Sequence, residues 1–226
     1  MTHILLSRGI LGTPPVVDRV GSYLKATDRV VIVNLSFFLF HLPDEASYRA
    51  FYDRGSPYYD KIVASFAPYG IREDNIVWLD YYQDSNEVAK DKIRNADVLY
   101  FPGGAPDLFM ERIIERDLKR DIEAHRGVMI GSSAGAMIQF HCYHITPDRE
   151  YASFAYGEGL DRIRGFDIEV HYRRRKKQKK AMRRVHRDGV HDIYALPDEG
   201  VILYHQNRVM PYLGARQIYT KKGIIR

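Results

Sequence analysis

Residues 128–137 read Val-Met-Ile-Gly-Ser-Ser-Ala-Gly-Ala-Met, and no other stretch restricts the possible folds as much. A short apolar run ends in Gly-x-Ser-x-Gly and passes directly into good helix formers. This is the form of a nucleophile elbow, a sharp strand-to-helix turn that lifts one side chain above the end of a sheet. A residue held in such a strained turn crowds its neighbours two positions away. Gly131 and Gly135 remove the side chains that would collide. Ser133 is then placed at a helix N-terminus, where free N–H groups favour a developing negative charge. A glycine-rich junction that only packs closely, or one that holds a phosphate, would read the same in isolation. The context decides between them.

Strand-like and helix-like segments alternate along the chain. Strands are expected at residues 4–6, 29–35, 75–79, 97–101 and 128–130. Helices are expected at 14–24, 58–69, 86–95 and, as one or two pieces, 107–125. A further helix should run from the elbow through Phe140. The run Val30-Val31-Ile32-Val33 is β-branched throughout, as in strands buried on both faces of a parallel sheet. Residues 37–57 are aromatic-rich and hold a loop and a helix. This order predicts an α/β fold in three layers, a doubly wound, mainly parallel sheet with helices on both faces. Sites in such sheets lie beyond the carboxyl ends of the strands, which is where Ser133 and the Pro102-Gly103-Gly104 turn both fall. Residues 143–164 lack a clean period and read as a long ordered excursion. Residues 165–171 alternate as a strand, and short strands at 193–196, 201–204 and 209–213 should finish the sheet. No repeat, low-complexity tract or linker divides the chain, so residues 1–226 read as a single domain.

Composition narrows the function classes. The mean hydropathy of −0.37, and apolar runs all well short of the ~20 residues of a membrane helix, point away from a membrane protein. The first residues lack the basic flank of a signal peptide and read as a first buried strand. Cys142, the single cysteine, excludes an internal disulfide framework and is expected in the core; a cytoplasmic protein follows. Metal-ligand types occur at residues 141–144 without a second cluster at ligand spacing, so neither metal nor cofactor is expected.

Five markers in sequence now support a family comparison: Leu5-Leu6-Ser7-Arg8-Gly9, residues 96–104, residues 131–136, Ile168-Glu169-Val170-His171-Tyr172, and Leu196-Pro197-Asp198-Glu199-Gly200. In these the chain resembles the dipeptidase E and cyanophycinase family of serine peptidases, which share the class I glutamine amidotransferase-like (flavodoxin-like) fold. It looks closer to the family's amidotransferase-like bacterial members. The resemblance implies Ser133 as nucleophile and His171 as its base, while His141 and His144 should be directed away from the site. Glu199 aligns with the family's third, carboxylate member; Asp198 is the near alternative, one residue away, and Glu169 a further one. The oxyanion hole should use the N–H of Ala134 with one from the glycine turn. That turn departs from the family's Gly-Gly-Gly-Asn by reading Gly103-Gly104-Ala105-Pro106, which makes Gly104 the expected donor and Ala105 the next. No N–H is available from Pro106.

Residues 173–184 are strongly basic and contribute much of the net charge of +5. They read first as a solvated helix, next as a positive rim beside the site, and last as a nucleic-acid or acidic surface contact. Known family members act on aspartyl peptides or an aspartate-rich polymer, so Arg173 and Arg174 are candidate substrate-binding residues. The expectation is a serine-type hydrolase of a small, acidic peptide or amide, with neither membrane nor nucleic acid as partner; a homodimer fits the sequence as well as a monomer. The competing reading is a catalytically inactive relative that binds a small ligand or acidic polymer through the same cleft and basic segment.

Overall fold

The computed structural model describes residues 1–189 and 192–225. Five parallel strands form the centre of the main sheet: β1 (Thr2–Leu6), β2 (Val30–Ile32), β3 (Ile76–Trp78), β4 (Val98–Phe101) and β5 (Val128–Ser132). A hairpin, β6 (Cys142–Ile145) and β7 (Ala155–Glu158), follows, and then β8 (Phe166–Glu169) and β9 (Asp192–Ala195). The chain ends with β10 (Val201–His205), β11 (Arg208–Tyr212), β12 (Arg216–Thr220) and β13 (Gly223–Ile224). The main sheet has the order β11-β10-β1-β5-β4-β2-β3, and a second sheet the order β13-β12-β9-β8.

Alternation along each buried strand builds the layers. Ile4, Leu6, Val30, Ile32, Val98 and Tyr100 point to one face, where they pack against α1 (Pro14–Val20) and, beyond α2 (Glu45–Tyr52), against α3 (Pro57–Phe66). Val31, Leu99, Phe101 and Met129 point to the other face, against α4 (Asn86–Arg94), α5 (Pro106–Glu115) and α6 (Lys119–Ala124). The central strands are therefore buried on both sides, as their unbroken apolar runs require. Local chemistry sets where several helices begin. Ser56 accepts the Tyr59 N–H at 3.1 Å and is followed by Pro57, Ser85 accepts that of Val88 at 3.3 Å, and Asp44 and Ser47 form a reciprocal capping box.

The second half departs from the sequence reading in three places. The helix after the elbow, α7, covers only Ala134–Met137 rather than continuing to Phe140. Beyond it the backbone is drawn into pairing: Leu160 donates to the Ile138 carbonyl at 2.7 Å, and Ile163 to that of Gln139 at 3.1 Å. The excursion at 143–164 contains the β6–β7 hairpin, and Cys142, expected in the core, is exposed at its start. Finally, β10 and β11 do complete the main sheet, antiparallel, but β9 leaves it to pair parallel with β8 in the second sheet.

The last helix, α8 (Lys176–Gly189), buries Gln178, Ala181, Met182 and Val185 and leaves its lysines and arginines exposed. Met182 and Val185 pack against Ile193 and Tyr219 of the second sheet. The topology brings the carboxyl ends of β1, β4, β5, β8 and β9 to one edge.

Candidate active site

Ser133 follows β5 directly, with φ 51° and ψ −115°. A non-glycine residue in that region stores on the order of 1–3 kcal/mol, which the surroundings must hold in place. They do so at close quarters. The Ser133 N–H donates to the Leu6 carbonyl at 2.9 Å, and a Cβ on Gly131 would run into the Gly135 carbonyl. One on Gly135 would run into the carbonyl of Phe101. With α7 only four residues long, any donor function at its start rests on the Ala134 N–H itself, which has no intrahelical acceptor.

The turn after β4 lies beside this serine. Gly104 adopts φ 149°, and a Cβ there would collide with the Ser36 carbonyl. Ala105 donates its N–H to that same carbonyl at 2.7 Å, so it is committed elsewhere, while Gly104 lines the cleft together with Ala134.

His171 stands two residues beyond β8, and its Nε2 is 2.8 Å from Ser133 Oγ. Its Nδ1 faces Asp198 Oδ1 at 3.4 Å. Asp198 follows β9, the parallel neighbour of β8, so the two adjacent strand ends deliver imidazole and carboxylate together. Glu199, the expected acceptor, is exposed and has no hydrogen bond or ion pair among the described residues. The one-residue difference reverses direction in the turn, where Gly200 donates back to the Pro197 carbonyl. Glu169 makes no hydrogen bond to His171 among the described residues; its Oε2 accepts from His144 Nε2 and Thr146 Oγ1, both at 2.8 Å.

Charge around the pair is arranged asymmetrically. Burial pushes the His171 imidazole below its ordinary value, against the opposing bond to Asp198 and that residue's charge. A base held neutral can take a proton at neutral pH. Asp198 also feels burial, which works against its ionisation, yet the bond from Arg173, the charge of Arg8 and the bond to His171 hold its carboxyl below the usual value. Arg8 Nε is 3.1 Å from Oδ1 and Arg173 Nη2 is 2.6 Å from Oδ2.

The cleft measures about 440 Å³ and brings Ser133, His171, Gly104 and Ala134 together. Arg173 lines it but is engaged by Asp198, whereas Arg174 is exposed and does not line it. Arg149, Arg175 and Lys177 do. His144, expected to be directed away, is buried in the cleft wall beside Glu169, because the short α7 lets the chain double back as β6. Sequence reasoning missed Ser7 and Gln178, both bonded to the His171 backbone. Gln178 did leave a signal, as the one uncharged residue within Arg173–Lys180.

A doubly wound sheet with its site at the strand ends, and a serine, an imidazole and a carboxylate gathered there, places the protein in the flavodoxin-like, glutamine amidotransferase-like α/β class. Residues 46–211, more than half of the sequence, match peptidase family S51, and the chain belongs to that family. Solved structures share the fold at low identity. A candidate peptidase E from Listeria monocytogenes EGD-e is 17% identical with a TM-score of 0.65, covering 93% of this chain and 97% of its own. A peptidase from an acI-B1 Actinobacterium is 14% identical with a TM-score of 0.62, covering 97% and 94%. Among curated proteins none matches significantly. No helix among the described residues is long and apolar enough to cross a membrane.

Proposed function

We propose that the protein is a serine-type hydrolase of small peptides or amides, working through an acyl-enzyme in a nucleophile elbow. The observation that carries this reading is the 2.8 Å contact between Ser133 Oγ and His171 Nε2 at a strained strand end. In this mechanism His171 takes the Ser133 proton as Oγ attacks the substrate carbonyl. The Gly104 and Ala134 N–H groups receive the negative charge that develops on the carbonyl oxygen. The imidazolium then gives its proton to the leaving amine, and a water activated by the same imidazole releases the acyl group. Asp198 stabilises the charged imidazole and favours the tautomer with its proton on Nδ1.

An acidic substrate fits the cationic side of the cleft, where Arg8, Arg149, Arg173, Arg175 and Lys177 outnumber Asp148, Glu150 and Glu169. Arg149, Arg175 and Lys177 line it, and none of the three has an ion pair among the described residues. Arg173 serves the carboxylate of the triad instead.

A fluorophosphonate probe tests the reading directly. The wild-type protein should be labelled on Ser133, and Ser133→Ala should not react. A wild-type protein that stays unlabelled while still binding acidic peptides would favour the non-catalytic relative that holds its ligand in the same cleft.

A further inference from the structure

His171 is held in an unusual backbone conformation, with φ 51° in the left-handed region. Both of its peptide groups are bonded to side chains. Its N–H donates to Ser7 Oγ at 2.8 Å, and the Ser7 hydroxyl donates in turn to the Leu196 carbonyl at 3.3 Å. Its carbonyl accepts from Gln178 Nε2 at 2.9 Å. The other end of the Gln178 amide accepts the Arg173 N–H at 2.9 Å and the Arg175 N–H at 3.4 Å. Ser7 is fully buried and Gln178 is 6% exposed. One carbonyl on one side and two N–H groups on the other fix the orientation of the amide, since turning it over would set like against like at every contact.

Gln178 is the third residue of α8, and its bond to Arg175 is the half of a capping box in which an N3 side chain reaches back to the N-cap N–H. Capping explains the oxygen of the amide. It does not explain why the nitrogen is given to His171, outside the helix.

We propose that Gln178 is a positioning residue for the reaction: together with Ser7 it clamps the backbone of His171 and so holds the imidazole against Ser133. This rests on the reading of Ser133 as nucleophile and His171 as base. The physical case is that a left-handed backbone relaxes toward negative φ when its restraints are removed. Rotation about φ carries Cβ and the carbonyl together around the N–Cα bond, so once Gln178 releases the carbonyl the ring can swing relative to the N–H that Ser7 holds. A misplacement of about 1 Å can cost roughly a hundredfold in rate. The clamp also ties the start of the basic helix to the base, so the cationic rim and the imidazole keep one geometry.

The test compares Gln178→Ala and Gln178→Glu with Met182→Leu, a change on the same helix facing the second sheet. Glutamate keeps an acceptor for Arg173 and Arg175 but loses the donor to His171 at neutral pH. Three quantities are read: the acylation rate per titrated active site, KM, and the pH titration of the His171 ring by NMR. Asp198, Arg8 and Arg173 are the charged groups facing that ring and are present in every variant, and because Gln178→Glu adds a carboxylate beside them the titration is read in Gln178→Ala. Both Gln178 variants should lose about ten- to a hundredfold in rate per site, with KM changed by no more than about twofold. In Gln178→Ala, which adds no charge, the His171 midpoint should rise toward the ordinary value as the ring leaves its partly buried position. Met182→Leu should match the wild type in all three. A Gln178→Ala protein that keeps the wild-type rate per site and titration, losing only thermal stability or changing only KM, would make Gln178 a helix cap and overturn the proposal. The ring titration needs no substrate. A wild-type protein that never acylates would remove the hydrolase reading, while the titration still decides whether Gln178 holds the ring.

Discussion

Asp198 reaches His171 from the end of the adjacent parallel strand, its Oδ1 3.4 Å from Nδ1, while the next residue, Glu199, faces solvent. The carboxylate is shared: Arg8 and Arg173 hold it from two other sides. Replacing Asp198 by asparagine keeps the shape and removes the charge that stabilises the imidazolium. Because the contact is long and the carboxylate partly exposed, the expected loss in kcat/KM is about ten- to a hundredfold. Glu199→Gln should leave kcat/KM within about twofold. Steady-state rates of the two variants decide the assignment, and the reverse ranking would return Glu199 to the third position.

The pH profile of kcat/KM should bear the mark of the same contacts. His171 must be neutral to act as a base, so the rate rises with pH as its proton is lost. Burial lowers its pKa, which places the acid limb below the ordinary histidine value of about 6.5. The bond and charge of Asp198 oppose that lowering. Asp198→Asn should therefore move the acid limb further down, and a rate profile that moves up instead would contradict the arrangement.

Why part of this site was legible in sequence and part was not follows from the range of the forces involved. The strand pattern of β2 and β4 and the glycines around Ser133 are local or periodic features, each visible within a few residues, whereas His171 was singled out among nine histidines by the family resemblance and its place in the order of motifs. Asp198 and Glu199 occupy one turn, and which of them faces the imidazole depends on the pairing of β9 with β8, a long-range contact. The early end of α7 is of the same kind. Residues 138–140 are ordinary helix formers in sequence, yet residues 160 and 163 take their carbonyls. Gln178 was hidden by its neighbours, because a run of lysines and arginines reads as a solvated face.

Gly104 offers a test of the turn after β4. A side chain there meets the Ser36 carbonyl, and φ 149° is open to glycine alone. Gly104→Ala must shift the turn and displace the N–H proposed to receive the oxyanion. Losing one such donor costs about 10²–10³ in kcat in other hydrolases. The expected signature is a large fall in kcat with retained fluorophosphonate labelling of the folded fraction at a reduced rate. Unchanged kcat in a well-folded variant would move the donor elsewhere.

Stability should fall in mild acid for a reason outside the site. His3 lies in β1, 2% exposed, with Nδ1 2.8 Å from Gln139 Oε1, and burial pushes its pKa down to about 4. The unfolded chain takes up the proton near pH 6.5 and the folded one only near 4, so stability is complete above 6.5 and declines as pH falls between them. At 1.36 kcal/mol per unit this window is worth about 3 kcal/mol, as an order of magnitude. Denaturant midpoints measured at pH 7 and 4.5 should differ by less in His3→Gln than in the wild type.

The cationic rim makes the last expectation. Arg175 and Lys177 line the cleft and Arg174 does not, although all three lie within four residues; the chain turns through φ 58° at Arg174 before α8 begins. If the substrate is acidic, Arg175→Ala and Lys177→Ala should raise KM for an aspartyl peptide by about two- to tenfold each, whereas Arg174→Ala should leave it unchanged. A neutral peptide with the same leaving group should respond to none of the three. These cations are solvent-facing, so their attraction is screened over about 10 Å at 0.1 M salt, and the preference for the aspartyl substrate should narrow as salt is raised to 1 M. Equal KM values for both peptides across that series would assign the rim to solvation of α8, and specificity would then have to come from the buried His144–Glu169 wall opposite.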